Sequence, residues 1–243
     1  MSRHRYSTFL TLAILAFGAA AEDKLCTLPG DAGQYVLSLP PGYDAKKEYE
    51  LIVALHGAGD PPEHFVKALR SLMPDRACIL AAPLSKDVKA WTPEELSVVA
   101  ATAADVAKQC QIKKGRVVLF GFSAGCWAGF FVVAEQPGVF NGFLSFGEEL
   151  DADEISDEKL APGKGVPIFY SVGTKDRHYA ASVETAARLK RLGFNVTHDT
   201  PAGIGHTITP DQVKRALAWL DDVLKKKPEK DDGDKIRIGG AQK

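Results

Sequence analysis

Short apolar, β-rich runs that alternate with helical patterns predict an α/β fold: a mostly parallel sheet with helices on both faces and no large lid. Three observations carry this expectation. Leu51-Ile52-Val53-Ala54-Leu55 is continuously apolar, as a strand covered on both faces must be. The β-branched run Arg116-Val117-Val118-Leu119-Phe120 leads through Gly121-Phe122-Ser123-Ala124-Gly125 into a helix-like segment, Ala124 to Glu135. Between the predicted strands, no insertion is long enough for a second domain.

The elements follow in order. Tyr35-Val36-Leu37-Ser38-Leu39 reads as an early edge strand, ended by Pro40-Pro41-Gly42. After the apolar strand at 51–55 come a helix over 62–72, a strand over 78–82 and a loop to Trp91. Thr92 is placed to cap the next helix, with Pro93 at its first position and Glu95 completing a Thr-x-x-Glu capping box. That helix runs to about Lys108 and precedes the strand that ends in Gly121. Three further strands are expected at 142–146, 166–172 and 194–198, with a helix from Ala180 to Leu192 stopped by Gly193. Thr209-Pro210-Asp211-Gln212 opens a last helix whose Val213, Leu217 and Leu220 share an inward face.

At 243 residues, 25% charged and 45% hydrophobic, the chain fits one globular domain with short appendages. A net charge of −1 without a basic patch argues against nucleic acid as the main partner. Arg3, His4 and Arg5, the apolar run from Phe9 to Phe17, and Ala19-Ala20-Ala21 make residues 1–21 a secretory signal peptide. The run is too short to span a bilayer comfortably, so stable membrane insertion is not expected, and the mature chain is expected to be secreted or periplasmic. The α/β domain then covers 22–224. Residues 225–243, charge-dense and carrying Pro and Gly, read as a solvated tail.

Export makes disulfides possible among Cys26, Cys78, Cys110 and Cys126. Cys78–Cys110 is the favoured bridge, and Cys126 is expected as a buried free thiol.

A Gly-x-Ser-x-Gly between strand and helix is the nucleophile elbow, a sharp turn that holds the Ser hydroxyl out at the end of a sheet. Ser123 is therefore the candidate nucleophile. A hydroxyl needs a base to take its proton, and the base needs a carboxylate to hold its tautomer. His206, on a glycine-rich loop after the last strand, stands where the base belongs in the order Ser, acid, His. Asp176 in Gly173-Thr174-Lys175-Asp176 is the expected acid, with Glu148 on the preceding strand's loop as its rival. His178 reads as a pocket-rim residue. After the central apolar strand, His56-Gly57-Ala58-Gly59-Asp60 is small enough for backbone amides to face an oxyanion. Ala58 is the expected donor, Gly59 the near alternative, and the amide of Ala124 the second donor. His56 is expected to order this loop. Trp91 is a candidate wall of the substrate pocket or a pin for the following helix, and Trp127 and Trp219 read as core. The sequence shows no metal-ligand spacing, no carboxylate cluster and no phosphate-cradling loop, so no cofactor and no metal are expected.

Taken together, Leu55-His56-Gly57-Ala58-Gly59-Asp60, Gly121-Phe122-Ser123-Ala124-Gly125, Gly173-Thr174-Lys175-Asp176 and Gly205-His206 resemble the α/β-hydrolase superfamily over about residues 34–224. Within it they are similar to small lidless serine esterases of the phospholipase/carboxylesterase, dienelactone hydrolase-like and polyhydroxybutyrate-depolymerase/feruloyl-esterase-like groups. Dienelactone-type enzymes usually carry Cys as nucleophile, and Ser123 weighs against that chemistry. The resemblance implies an exported serine hydrolase that cleaves small-molecule or polymeric carboxylic esters through an acyl-enzyme. The alternatives are a prolyl-oligopeptidase-like peptidase, disfavoured by the lack of a gating domain, and a catalytically silent binding member of the fold. Fold and triad leave the particular ester and the oligomeric state open.

Overall fold

The computed structural model describes residues 23–226; the expected signal peptide and nearly all of the charged tail lie outside the described residues. Among the described residues eight strands form one sheet: β1 (Lys24–Thr27), β2 (Gln34–Ser38), β3 (Tyr49–Leu55), β4 (Cys78–Pro83), β5 (Ile112–Phe122), β6 (Gly142–Phe146), β7 (Ile168–Ser171) and β8 (Val196–Asp199). Their spatial order is β1-β2-β4-β3-β5-β6-β7-β8. β2 pairs antiparallel with both β1 and β4, and every pairing from β4 to β8 is parallel. The expected edge strand at Tyr35 is thus an inner strand, covered by β1. Lys24–Thr27 has only one buried residue, Cys26, so it lacks the apolar run that would mark it in the sequence.

Among the described residues there are also six α-helices: α1 (Pro62–Leu72), α2 (Ser97–Gln109), α3 (Ala124–Glu135), the single-turn α4 (Asp157–Leu160), α5 (Tyr179–Arg191) and α6 (Pro210–Lys226). α1 and α6 cover one face, where Phe65, Leu69, Val213 and Leu220 pack on Val36, Ile52, Leu80, Val118 and Phe120. α2, α3 and α5 cover the other, where Val99, Val106, Phe130 and Leu189 pack on Leu51, Val53, Leu119 and Tyr170. Helices on both faces explain why β3 and β4 are buried along their whole length and carry the apolar runs Leu51–Leu55 and Cys78–Pro83. Val213 and Leu220 are fully buried, as the inward face of α6 requires. The capping box opens a 3₁₀ turn at Pro93–Glu95 that leads into α2, and Glu95 Oε1 accepts from the Thr92 amide at 2.7 Å.

All four cysteines are free. The expected Cys78–Cys110 bridge is ruled out by side: Cys78 packs into the α1/α6 face, and Cys110 packs against the opposite one, with the sheet between them. Burial pushes the Cys78 thiol up to about 11. Cys126 is fully buried, its thiol within reach of Gly121 O (3.1 Å) and Phe146 O (3.0 Å). Burial also drives its pKa well upward, so it stays a protonated, unreactive core group.

A charge network ties α6 to the sheet. Arg76 grips Glu50 through Nε (2.9 Å) and Nη2 (2.8 Å) and Asp221 through Nη1 (2.8 Å), and Arg116 Nη1 reaches Asp221 at 2.9 Å. Hydrogen bonds from the arginines, Arg76 first, hold the Asp221 carboxyl below its ordinary value against its partial burial. Glu50 is 5% exposed and depends on Arg76 for a bidentate partner. Arg76→Ala is expected to cost about 2 kcal/mol, because it leaves a buried carboxylate with only Arg116 Nη1, 3.5 Å away. Urea denaturation of the two proteins checks this, with an unchanged midpoint as the contrary result.

Candidate active site

β5 and α3 meet at Ser123, whose backbone takes φ 51°, ψ −125°. This is the left-handed half of the map, costly for a residue with a Cβ and tolerated where the surroundings hold it. The holding is visible: the Ser123 amide donates to Phe146 O on β6 at 2.9 Å. The two glycines of the motif are spatial requirements. A Cβ on Gly121 would stand 2.6 Å from Gly125 O, and one on Gly125 would overlap the Leu55 carbonyl. The pentapeptide is thus what lets α3 leave the strand so close to β3.

His206 Nε2 lies 3.0 Å from Ser123 Oγ, and His206 Nδ1 lies 2.9 Å from Asp176 Oδ2. Asp176 is 6% exposed, and its other oxygen accepts from the His178 amide at 3.0 Å. These three residues come from the ends of β5, β7 and β8, which parallel pairing brings to one edge of the sheet. Phe122 flanks the His206 ring at 5.1 Å, and Gly147 (φ 80°) passes so closely that a Cβ there would meet the imidazole at 3.3 Å.

The rival carboxylate goes elsewhere. Glu148 Oε1 lies 2.9 Å from His178 Nδ1, and Glu149 contacts the same ring nitrogen. His178 stands beside His206, ring centres 5.2 Å apart. Ligand-type atoms of Glu148, Glu149 and His178 lie within 4.8 Å of one another, as do those of Asp176, His178 and His206. This carboxylate cluster differs from the sequence expectation of none. It arises because the loops after β6 and β7 lie side by side, and adjacent glutamates after a strand are its only local trace. Arg177 Nε donates to His178 Nε2 at 2.7 Å, so Nδ1 carries the ring proton and points at the carboxylates. In that arrangement Nδ1 is a donor to the carboxylates and not itself a ligand atom.

Burial, aided by Glu149, pushes the Glu148 carboxyl from 4.5 up to about 8. A carboxyl raised on folding favours the folded state fully below its unfolded pKa, and that advantage is lost as pH rises through the folded value. Stability should therefore fall between about pH 4.5 and pH 8 on account of this group. Glu148→Gln is expected to flatten this part of the Tm–pH curve and to stabilise the protein at pH 8 by on the order of a few kcal/mol. Thermal melts across that range test it; parallel curves for the two proteins would contradict it.

On the facing loop, the Gly59 amide is spent on Val88 O at 2.8 Å, whereas the amides of Ala58 and Ala124 have no protein acceptor among the described residues. His56 is fully buried beneath this loop, its Nδ1 2.9 Å from Gly57 O and its Nε2 3.1 Å from Ser85 Oγ. Burial lowers its pKa, so the ring is a neutral brace. Trp91 differs from its expected place at a pocket wall: it is 6% exposed, and its indole N–H donates to His56 O at 3.0 Å. It supports the loop from below, the one side chain of an otherwise exposed 86–91 stretch that turns inward. Trp127, expected in the core, is partly exposed on α3, where its N–H donates to Glu154 Oε2 at 3.0 Å. Among the described residues no helix is long and apolar enough to cross a membrane.

The phospholipase/carboxylesterase family profile matches residues 86–224, more than half of the chain. No curated protein sequence matches. Among solved structures, the chain is similar to FphF, a fluorophosphonate-binding serine hydrolase of Staphylococcus aureus, with TM-score 0.69, 11% identity, and 83% and 99% of the two chains covered. It is also similar to esterase PE8 (TM-score 0.63, 20% identity, 82% and 99% covered) and to a phospholipase/carboxylesterase from Dyadobacter fermentans (TM-score 0.59, 18% identity, 80% and 98% covered). Against a thermostable esterase the chain spans 62% of that protein's length. At these identities the structural likeness shows the fold, and the family match shows the lineage: the chain belongs to the phospholipase/carboxylesterase family of α/β-hydrolase-fold serine hydrolases.

Proposed function

We propose that the chain is an exported serine esterase in which Ser123 is the nucleophile, His206 the base and Asp176 the residue that orients His206. The observation that carries this reading is the hydrogen-bonded chain Ser123 Oγ–His206 Nε2 at 3.0 Å and His206 Nδ1–Asp176 Oδ2 at 2.9 Å. Asp176 accepts a hydrogen bond from His206 Nδ1–H, which keeps the proton on Nδ1 and leaves the Nε2 lone pair facing the hydroxyl. As Ser123 Oγ bonds to the ester carbonyl carbon, its proton passes to His206 Nε2. The carbonyl oxygen becomes an oxyanion held by the Ala58 and Ala124 amides. Collapse expels the alcohol, which takes the proton from His206 and leaves an acyl-serine. Water then repeats the sequence, releasing the acid and restoring Ser123. The neutral, buried His56 supports this by holding the Ala58 loop in place. Export rests on the pattern of residues 1–21.

A fluorophosphonate probe separates enzyme from silent binder: labelling of the native chain at Ser123, found by peptide mass spectrometry, is expected. Turnover of p-nitrophenyl esters without turnover of matched anilides is expected of an esterase, and the reverse would make it a peptidase. N-terminal sequencing of protein recovered outside the cytosol should begin at Glu22; membrane-bound protein that starts at Met1 would refute export.

A further inference from the structure

Seven of the eleven residues from Glu148 to Glu158 are acidic, and none is basic. This loop is pinned. The Leu150 amide donates to Thr185 Oγ1 at 3.1 Å, Arg188 Nη2 to Ile155 O at 2.6 Å, and Arg188 Nε to Asp157 Oδ1 at 2.7 Å. One end of it stands at His178 beside His206, through Glu148 and Glu149. Its other end forms one wall of a groove of about 470 Å³ along α3, within the size range of small-molecule sites. Pro93, Trp127, Phe131 and Ile155 are the apolar lining of this groove, with Trp127 more exposed than the buried Phe131 and Ile155, and Glu135, Glu154 and Lys159 are its charged residues.

The groove lies along α3, the helix that begins directly after the nucleophile. Trp127, Phe131 and Glu135 follow Ser123 at successive steps of four residues, so the Cα of Trp127 lies about 6 Å and that of Phe131 about 12 Å further along the helix axis. The Trp127 and Phe131 rings are in contact, with centres 4.4 Å apart. The Trp127 N–H bond to Glu154 Oε2 fixes the indole and keeps a carboxylate at its edge. An aromatic face with a carboxylate beside it is the chemistry that recognises an organic cation. The groove's own cation, Lys159, forms no ion pair with Glu135 or Glu154, and the two carboxylates outnumber it. A free carboxylate or a phosphate arriving here would meet like charge along the whole loop.

We propose that this groove is a specificity subsite for a cationic organic group, so that the enzyme prefers esters whose alcohol carries an ammonium. The proposal rests on the esterase reading with Ser123 as nucleophile. Trp127 and Phe131 receive the alkyl surface around the nitrogen, and Glu154, with Glu135 further along, supplies the opposing charge. Asp157 contributes little, because Arg188 already pairs with it.

The test compares two acetate esters of one shape: acetylcholine, and 3,3-dimethylbutyl acetate, in which carbon replaces the quaternary nitrogen. The kcat/KM ratio of cationic to neutral ester is expected to be about tenfold or more, and to fall as ionic strength rises. Glu154→Gln, an exposed change that leaves the fold in place, should bring the ratio down several-fold, and Trp127→Leu should bring it close to one. p-Nitrophenyl acetate is measured in parallel. Absence of its hydrolysis would sink the esterase reading itself. Its hydrolysis with a ratio near one in the native enzyme would overturn the subsite alone. A preference for the neutral ester that disappears in Trp127→Leu would show that the groove takes an uncharged alkyl chain, and would likewise overturn the proposal.

Discussion

Ser123→Ala should lower kcat for p-nitrophenyl esters by a factor on the order of 10⁴ or more, leaving only the contribution of the oxyanion donors and substrate binding. The change removes one oxygen and nothing that holds the elbow. The strained backbone at φ 51° is shared by any residue with a Cβ, and the Ser123 amide's bond to Phe146 O involves no side-chain atom. The variant should therefore melt near the native temperature, so lost activity can be assigned to chemistry. Nor can the nearby thiol take over. Cys126 is fully buried, three residues further along, with its sulfur engaged by Gly121 O and Phe146 O. Near-native turnover in folded Ser123→Ala protein would remove the nucleophile assignment and with it the proposed mechanism.

For Asp176→Asn a loss of similar size, of order 10⁴ in kcat, is expected with little effect on folding. The two oxygens of Asp176 have separate duties. Oδ1 accepts from the His178 amide at 3.0 Å, and Oδ2 lies 2.9 Å from His206 Nδ1. In the asparagine variant the carbonyl oxygen must stay on the His178 amide, which can only donate. The side-chain NH₂ then faces His206, which answers with a lone pair on Nδ1 and carries its proton on Nε2, pointed at Ser123. That tautomer cannot accept the hydroxyl proton. Glu148→Gln should cost less than about tenfold, because Glu148 reaches His178 and not His206. Both variants should be compared near neutral pH with circular dichroism as the folding control. A dead Glu148→Gln beside an active Asp176→Asn would reverse the assignment, leaving Ser123 and His206 untouched.

Much of this architecture is written locally. The helix over Pro62–Leu72, the helix over Ala124–Glu135 and the strand over Gly142–Phe146 match the sequence expectation at both ends. Burial on both sides of a parallel sheet leaves an apolar run, a helix with one wet side leaves a 3.6-residue period, and glycine and proline punctuate them. Ser123 is legible for the same reason, since the strand, turn and helix that strain it are contiguous in the chain. Asp176 and His206 are legible only as loop positions after successive strands. Their approach to Ser123 depends on the parallel registers of β5, β6 and β7 with their neighbours.

By itself, then, the sequence determined the α/β class, the elbow and the set of loops from which the site is built. Tertiary structure decided which side chains of those loops meet. β1 is a strand because β2 offers it an edge, although its own residues carry almost no apolar signal. Cys78 and Cys110 stay apart because the sheet separates the faces they serve, and spacing along the chain cannot reveal that. Trp91 went under the oxyanion-side loop to His56 O, and Glu148 turned to His178 and Glu149 instead of His206. Each of these depends on strand order and loop direction, which are long-range consequences of packing, whereas periodicity and turn chemistry report only on neighbours within a few residues.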